Sequence, residues 1–166
     1  MKKNFSFLLS CLILFLFLSC NKRSGKPRVL VFTKTAGFHH QSIPAGVAAI
    51  QKLGAGNGFD VDTTSDANMF SDDILREYSA VVFLNTTGPL FNTVQRIALE
   101  RYIQAGGGYA GIHAATDAEY DWGWYTRLAG ANFESHPRQQ EAKLIVKDKN
   151  HASTKHLPDV WTRKDE

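Results

Sequence analysis

Thiols are almost missing from this chain. Its 166 residues hold two cysteines, Cys11 and Cys20, both near the start. Residues 21–166 have none, which excludes an internal disulfide, a cysteine nucleophile and a Cys-ligated zinc site from that part. A large charge of one sign is missing too. The formal net charge is +3, and without Lys2 and Lys3 it is +1, so nothing electrostatic points to nucleic acid as a partner. Repeats, low-complexity tracts and heptads are absent. Lys34-Thr35-Ala36-Gly37 lacks the Gly-Lys-Ser/Thr order of a P-loop. The triplet Gly106-Gly107-Gly108 precedes an apolar run instead of following one, so it is no dinucleotide fingerprint. No histidines have the spacing of a metalloprotease helix.

One long apolar run is present. Lys2 and Lys3 precede residues 5–18, which are nearly all apolar, and Leu18-Ser19-Cys20 closes the segment. A secretory signal has this layout. Cysteine directly after a small residue is what a lipoprotein signal peptidase accepts, so Cys20 is expected to carry lipid. The run is too short and too asymmetrically flanked for a permanent span. The expected organisation is a lipoprotein signal peptide over residues 1–20, a polar tether over 21–27 and one domain over 28–166. Such a protein is held at the cell envelope, on the periplasmic or outer-membrane side, by lipid on Cys20.

From residue 28 onward, apolar runs alternate with helical patterns. Residues 28–33, 59–63, 80–84 and 109–112 read as strands, the first and third β-branched or aromatic enough to be buried on both faces. The fourth, Tyr109-Ala110-Gly111-Ile112, reads as another central, doubly buried strand. Helices are expected over 43–53, capped by Ser42 and ended by Gly54, Gly56 and Gly58; over 72–77, capped by Ser71; and from Asn92 or Thr93 to Gln104. The last has Ile97, Leu99, Tyr102 and Ile103 as its core stripe. The rhythm predicts an α/β fold with a doubly wound, mainly parallel sheet. Later come a short helix from Trp124 to Leu128 that ends at Gly130, a strand over 141–146, and a charged segment over 161–166 with no closing element. That ending leads us to expect a domain cut short at its C-terminus.

In such a sheet the ligand crevice lies outside the carboxyl ends of the strands. The loop after the first strand carries His39, His40 and Ser42, that after the third Asn85 and Thr86, and that after the fourth His113 and Asp117. Gly111, Ala114 and Ala115 leave room for a sharp strand-to-helix turn that would lift His113 above the sheet. Each residue has a plain reading beside the functional one. His39-His40 serve as a solvated pair or as ligands; Asn85 and Thr86 make turns or hold hydroxyls. His113 is a satisfied core residue or a catalytic one, and Asp117 caps a helix or orients an imidazole. Trp122 and Trp124 are core or a stacking surface for sugar rings. His136, before Pro137, is a fixed loop position that could fold over the same edge.

Three segments resemble the ThuA-like (trehalose utilisation) family: Thr33-Lys34-Thr35-Ala36-Gly37-Phe38-His39-His40-Gln41-Ser42-Ile43-Pro44, then Gly106-Gly107-Gly108-Tyr109-Ala110-Gly111-Ile112-His113-Ala114-Ala115-Thr116-Asp117, then Trp124-Tyr125 through Phe133 to His136-Pro137. His39 stands where the family has arginine, His40 matches the family histidine, and Gln41 stands where an acid is common. The resemblance implies a class I glutamine amidotransferase-like, flavodoxin-like three-layer fold, with His113 in place of the amidotransferase cysteine and no amidotransferase chemistry. It also implies a role in carbohydrate metabolism.

Two readings follow. In the first, an enzyme of keto-sugar isomerase, lyase or hydrolase type uses His113 and His40 as acid and base, with Asp117 orienting one imidazole. Asn85, Thr86, His39, Ser42, Trp122, Trp124 and His136 then contact the sugar. A metal variant has His40, His113 and His136 share a divalent ion. In the second, the same crevice belongs to a non-catalytic sugar-binding module.

Overall fold

A computed structural model describes residues 25–165. The signal segment, most of the tether and the expected lipid site at Cys20 lie outside the described residues. Strands β1 (Arg28–Phe32), β2 (Asp60–Thr64), β3 (Ala80–Leu84) and β4 (Gly108–Ile112) form one parallel sheet in the order β2-β1-β3-β4. They are joined through α1 (Ile43–Asn57), α2 (Asp72–Leu75) and α3 (Thr93–Gln104).

Successive side chains of a strand point to opposite faces, and both faces here are covered. Leu30 and Phe32 of β1 and Val81 and Phe83 of β3 join Leu75, Leu99 and Tyr102 in one buried cluster. Val31 and Leu84, on the other face, pack with Ile50 of α1. The result is the expected three-layer, doubly wound α/β arrangement. Phe32, Phe70, Phe83 and Phe91 lie at the centre of the larger cluster, with Phe70 4.5 Å from Phe91 and 4.6 Å from Phe32 between ring centroids. Each such ring contributes about 1.5–3 kcal/mol on full burial.

Four local expectations are corrected. Helix α1 does not end at Gly54; it runs to Asn57, with Gly58 in the left-handed cap at φ 76°. A Cβ on Gly54 would lie 2.7 Å from the Phe59 carbonyl oxygen and 2.8 Å from Val61. Glycine there lets the helix end press on β2 and does not stop the helix. Ser42 makes no side-chain cap bond. In α3, Asn92 and Gln95 form a reciprocal capping box, and the buried stripe is Gln95, Ala98, Leu99 and Tyr102. Ile97 is 42% exposed, because the helix presents the face one residue further on.

The fourth correction concerns β4. Among the described residues it pairs with β3 alone, at the edge of the four-stranded sheet, and Ala110, Gly111 and Ile112 are exposed. A short run of small apolar residues reads the same in sequence whether or not a neighbour covers it.

After β4 come a 3₁₀ turn (His113–Thr116) and α4 (Gly123–Ala129), which closes on left-handed Gly130. Strands β5 (Gln140–Ile145) and β6 (Val160–Asp165) then form a separate antiparallel hairpin. The charged segment thus does contain an element. Its lysine and arginine pair across an exposed hairpin, Lys164 with Glu141 and Arg163 with Ala142, which hides the apolar alternation. Among the described residues, no helix is long and apolar enough to cross a membrane.

Candidate functional site

The loops leaving β1, β3 and β4 are stitched together beyond the strands. Thr35 bridges to Thr87, and Gly88 bridges to Ala118. The Thr87 hydroxyl donates to the Phe38 carbonyl at 2.9 Å and accepts from Gly37 N–H at 3.3 Å. Gly88 N–H donates to the Asp117 carbonyl at 2.8 Å. These bonds extend the sheet by one ragged step and fix the rim on which the histidines stand.

His113 opens the turn after β4 with φ 52°. A left-handed backbone costs a non-glycine residue roughly 1–3 kcal/mol, and such strain collects at functional sites. The neighbours are small because the turn is tight: a Cβ on Gly111 would lie 2.9 Å from the Tyr109 hydroxyl and 3.1 Å from Ala115 Cβ. The tight turn expected from the sequence is present, but it follows a strand that pairs with β3 alone among the described residues, so the central strand expected beneath His113 is not found.

The His40 and His113 rings meet edge to face, 4.7 Å apart at an interplanar angle of 87°. Phe38 meets His40 in the same way at 4.8 Å. The two imidazoles line a cleft of ≈ 600 Å³ together with Asp117, His136, Phe38 and Phe133. Asp117 Oδ1 accepts from the Tyr120 hydroxyl at 2.6 Å, and that hydroxyl also lies 2.8 Å from the Phe133 carbonyl. Desolvation, and then the Asp117 carboxylate, push the Tyr120 phenol up to about 12, so it remains a neutral donor. Phe133 N–H donates to the Thr116 carbonyl at 2.9 Å. His136 stands 3.1 Å from the Pro137 carbonyl through Nδ1, its ring 5.9 Å from that of Phe133.

The cleft thus gathers His40, His113, Asp117 and His136. It does not gather the other expected residues. His39 is exposed, its Nδ1 3.1 Å from the Thr35 hydroxyl. Asn85 is buried with φ 53° and donates through Nδ2 to the Ser42 hydroxyl at 2.8 Å, so this pair ties β3 to the start of α1. Thr86 is fully buried beside the Tyr125 hydroxyl, whose ionisation burial pushes far up. Trp122 donates to Glu100 at 3.1 Å and stacks on Trp124 at 5.1 Å, with the Arg96 guanidinium over its ring. The tryptophans pack along α3 and offer no platform to a sugar in this cleft. Asp117 holds Tyr120 through Oδ1. Among the described residues, no group of three His, Cys, Asp or Glu side chains is arranged to hold a metal ion, so the three histidines share a cleft without forming a ligand set.

Sequence reasoning missed Phe38, Phe133, Tyr120 and Glu119. Phe38 precedes the His39-His40 pair and Phe133 lies three residues before His136, and that proximity was the available signal. Glu119 had none. It is 1% exposed with φ 55°, and its Oε1 accepts from Leu90 and Phe91 N–H, the latter at 3.0 Å. Its Oε2 pairs with Arg96 at 2.6 Å. Glu119 thereby pins the loop after β3 to the segment after His113.

A parallel, flavodoxin-like α/β sheet with an imidazole on the strained turn after β4 defines the class of protein. The chain belongs to the trehalose utilisation (ThuA) family, whose model matches residues 28–166. Among solved structures it is similar to a protein from Bacteroides uniformis ATCC 8492 described as ThuA-like, with 26% identity and a TM-score of 0.67. That match covers 88% of this chain and 62% of the other. No curated protein matches the chain.

Proposed function

We propose that this protein acts on a sugar or keto-sugar in the cleft, with His40 and His113 as its proton-transfer pair, and that lipid on Cys20 holds it at the cell envelope. The observation that carries the chemistry is the edge-to-face contact of the two imidazoles at 4.7 Å, one of them on strained backbone. The family supports a role related to trehalose utilisation.

Imidazoles ordinarily titrate between pH 5 and 8, so one can accept a proton while the other gives one. Beside a sugar carbonyl, the basic ring takes the proton from the adjacent carbon, and the acidic ring protonates the carbonyl oxygen. In an isomerase the enediol gives up the proton of its other hydroxyl to one ring and takes a proton from the other ring on the former carbonyl carbon; in a lyase it returns the enol proton to one ring and expels a β-substituent, which leaves with the proton held by the other. The neutral Tyr120 phenol holds Asp117 in place meanwhile.

The test is turnover of keto-glucosides by wild type and His113→Ala across pH 5–9. A positioned acid–base group contributes about 10²–10⁴-fold, so a loss of that size and a limb near neutrality are expected. Sugar binding with a flat profile and no turnover would instead identify a binding module.

A further inference from the structure

The cleft exposes two aromatic rings on a fixed backbone. Phe38 is 69% exposed and Phe133 is 39% exposed. Large apolar side chains left in water at the mouth of a cavity mark contact surfaces. Neither ring rides on a slack loop. The carbonyl of Phe38 accepts from Thr87, and its ring edges against His40. Phe133 is bonded on both sides, by its N–H to Thr116 and by its carbonyl to Tyr120, and its ring leans on His136. The rings are therefore ordered before any ligand arrives, which lowers the entropic cost of binding.

Charge narrows the ligand further. Among the described residues, no lysine or arginine lines the cleft, whereas the Asp117 carboxylate does. A phosphoryl group entering there would meet the like charge of Asp117 and only imidazoles as basic partners, with no guanidinium or ammonium to pair with. A pyranose has an apolar ring face that stacks on an aromatic side chain and needs no charged partner.

Building on the reading of this cleft as a sugar site, we propose that Phe38 and Phe133 are the jaws that grip the ring face of an uncharged, unphosphorylated pyranose and present it to the two histidines. The stacking role that the sequence offered to Trp122 and Trp124 belongs to these two phenylalanines.

The experiment is calorimetric titration of the full chain with trehalose, methyl α-glucoside, trehalose 6-phosphate and glucose 6-phosphate. Phe38→Leu and Phe133→Leu keep an apolar side chain and lose the aromatic face; both rings are solvent-exposed, so the fold is retained. The neutral sugars are expected to bind, and each substitution to weaken them by about 2–12-fold, the worth of an aromatic contact. The phosphorylated sugars are expected to bind about tenfold more weakly or not at all. Equal affinity for phosphorylated and neutral sugars, wild-type affinity in both leucine variants, or no binding of either neutral sugar at millimolar concentration would overturn the proposal. Turnover lost or kept in His113→Ala bears on the acid–base reading alone, so the two failures are separable.

Discussion

His40 and His113 touch edge to face at 4.7 Å although β3 lies between the strands that carry them. Two groups acting on one ligand are not independent, so their removal does not add. His40→Ala and His113→Ala should each cost about 10²–10⁴-fold in kcat on a keto-glucoside, and the double variant little more than the worse single one. His39→Ala should stay near wild type, because His39 points to Thr35 outside the cleft. Costs that multiply in the double variant would mean that the histidines work separately.

The backbone at His113 offers a second test. At φ 52° a side chain with a Cβ is strained, and glycine is not. His113→Gly should therefore be about 1 kcal/mol more stable than His113→Ala in urea unfolding, although both lack the imidazole. Equal stabilities would show that the turn relaxes freely and stores no strain.

The strands β1 and β3 were legible nearly to the residue, because a strand buried on both faces has to be a continuous apolar run. His113 and His40 were legible because topology sends both loops to one edge. The edge position of β4 was not, since pairing with a neighbour leaves no mark on Tyr109-Ala110-Gly111-Ile112. Nor was β6, whose charged residues are tolerated on an exposed hairpin. Trp122 and Trp124 have an apolar body and a polar tip, which suits a core wall and a sugar platform equally, and only packing against Arg96 and Glu100 decides between them. Glu119 broke the expectation that glutamate lies at the surface, and only the tertiary fold supplies its partners.

Glu119 should be among the most sensitive positions for stability. Its carboxylate is fully buried, accepts from two backbone N–H groups and pairs with Arg96. Removing the carboxylate leaves the Leu90 and Phe91 N–H groups without their acceptor, at about 1–3 kcal/mol each, while Arg96 keeps its bonds to Asp121. Glu119→Ala should lose about that sum in urea unfolding. Glu119→Gln should lose less, since the amide oxygen still accepts from Leu90 and Phe91. A change under about 1 kcal/mol in Glu119→Ala would mean that water replaces the carboxylate and the loops are not pinned by it.

Envelope attachment through Cys20 has a direct check. Metabolic labelling with palmitate should mark the protein, and Cys20→Ala should abolish the label and move the protein out of the membrane fraction. Unchanged attachment of the unlabelled variant would assign anchoring to the apolar residues 5–18 instead.

The pH dependence of stability follows from the other carboxylate on Arg96. Asp121 accepts from the guanidinium at 2.7 and 3.3 Å, and that hydrogen bond holds its carboxyl below the usual aspartate range. A group whose ionisation is favoured in the folded state stabilises the fold above its unfolded value, about 3.9 for aspartate, and loses that stabilisation as pH falls through its folded value. The wild type should therefore lose thermal stability as pH drops below about 4, in part through Asp121. Asp121→Asn removes this contribution: it should be less stable than wild type at neutral pH, and the gap between them should close in acid. Because Asp121 is exposed, added salt should shrink the neutral-pH difference. A gap that stays constant from neutral pH down to about pH 2 would show that Arg96 gains nothing from Asp121 and is held by Glu119 alone.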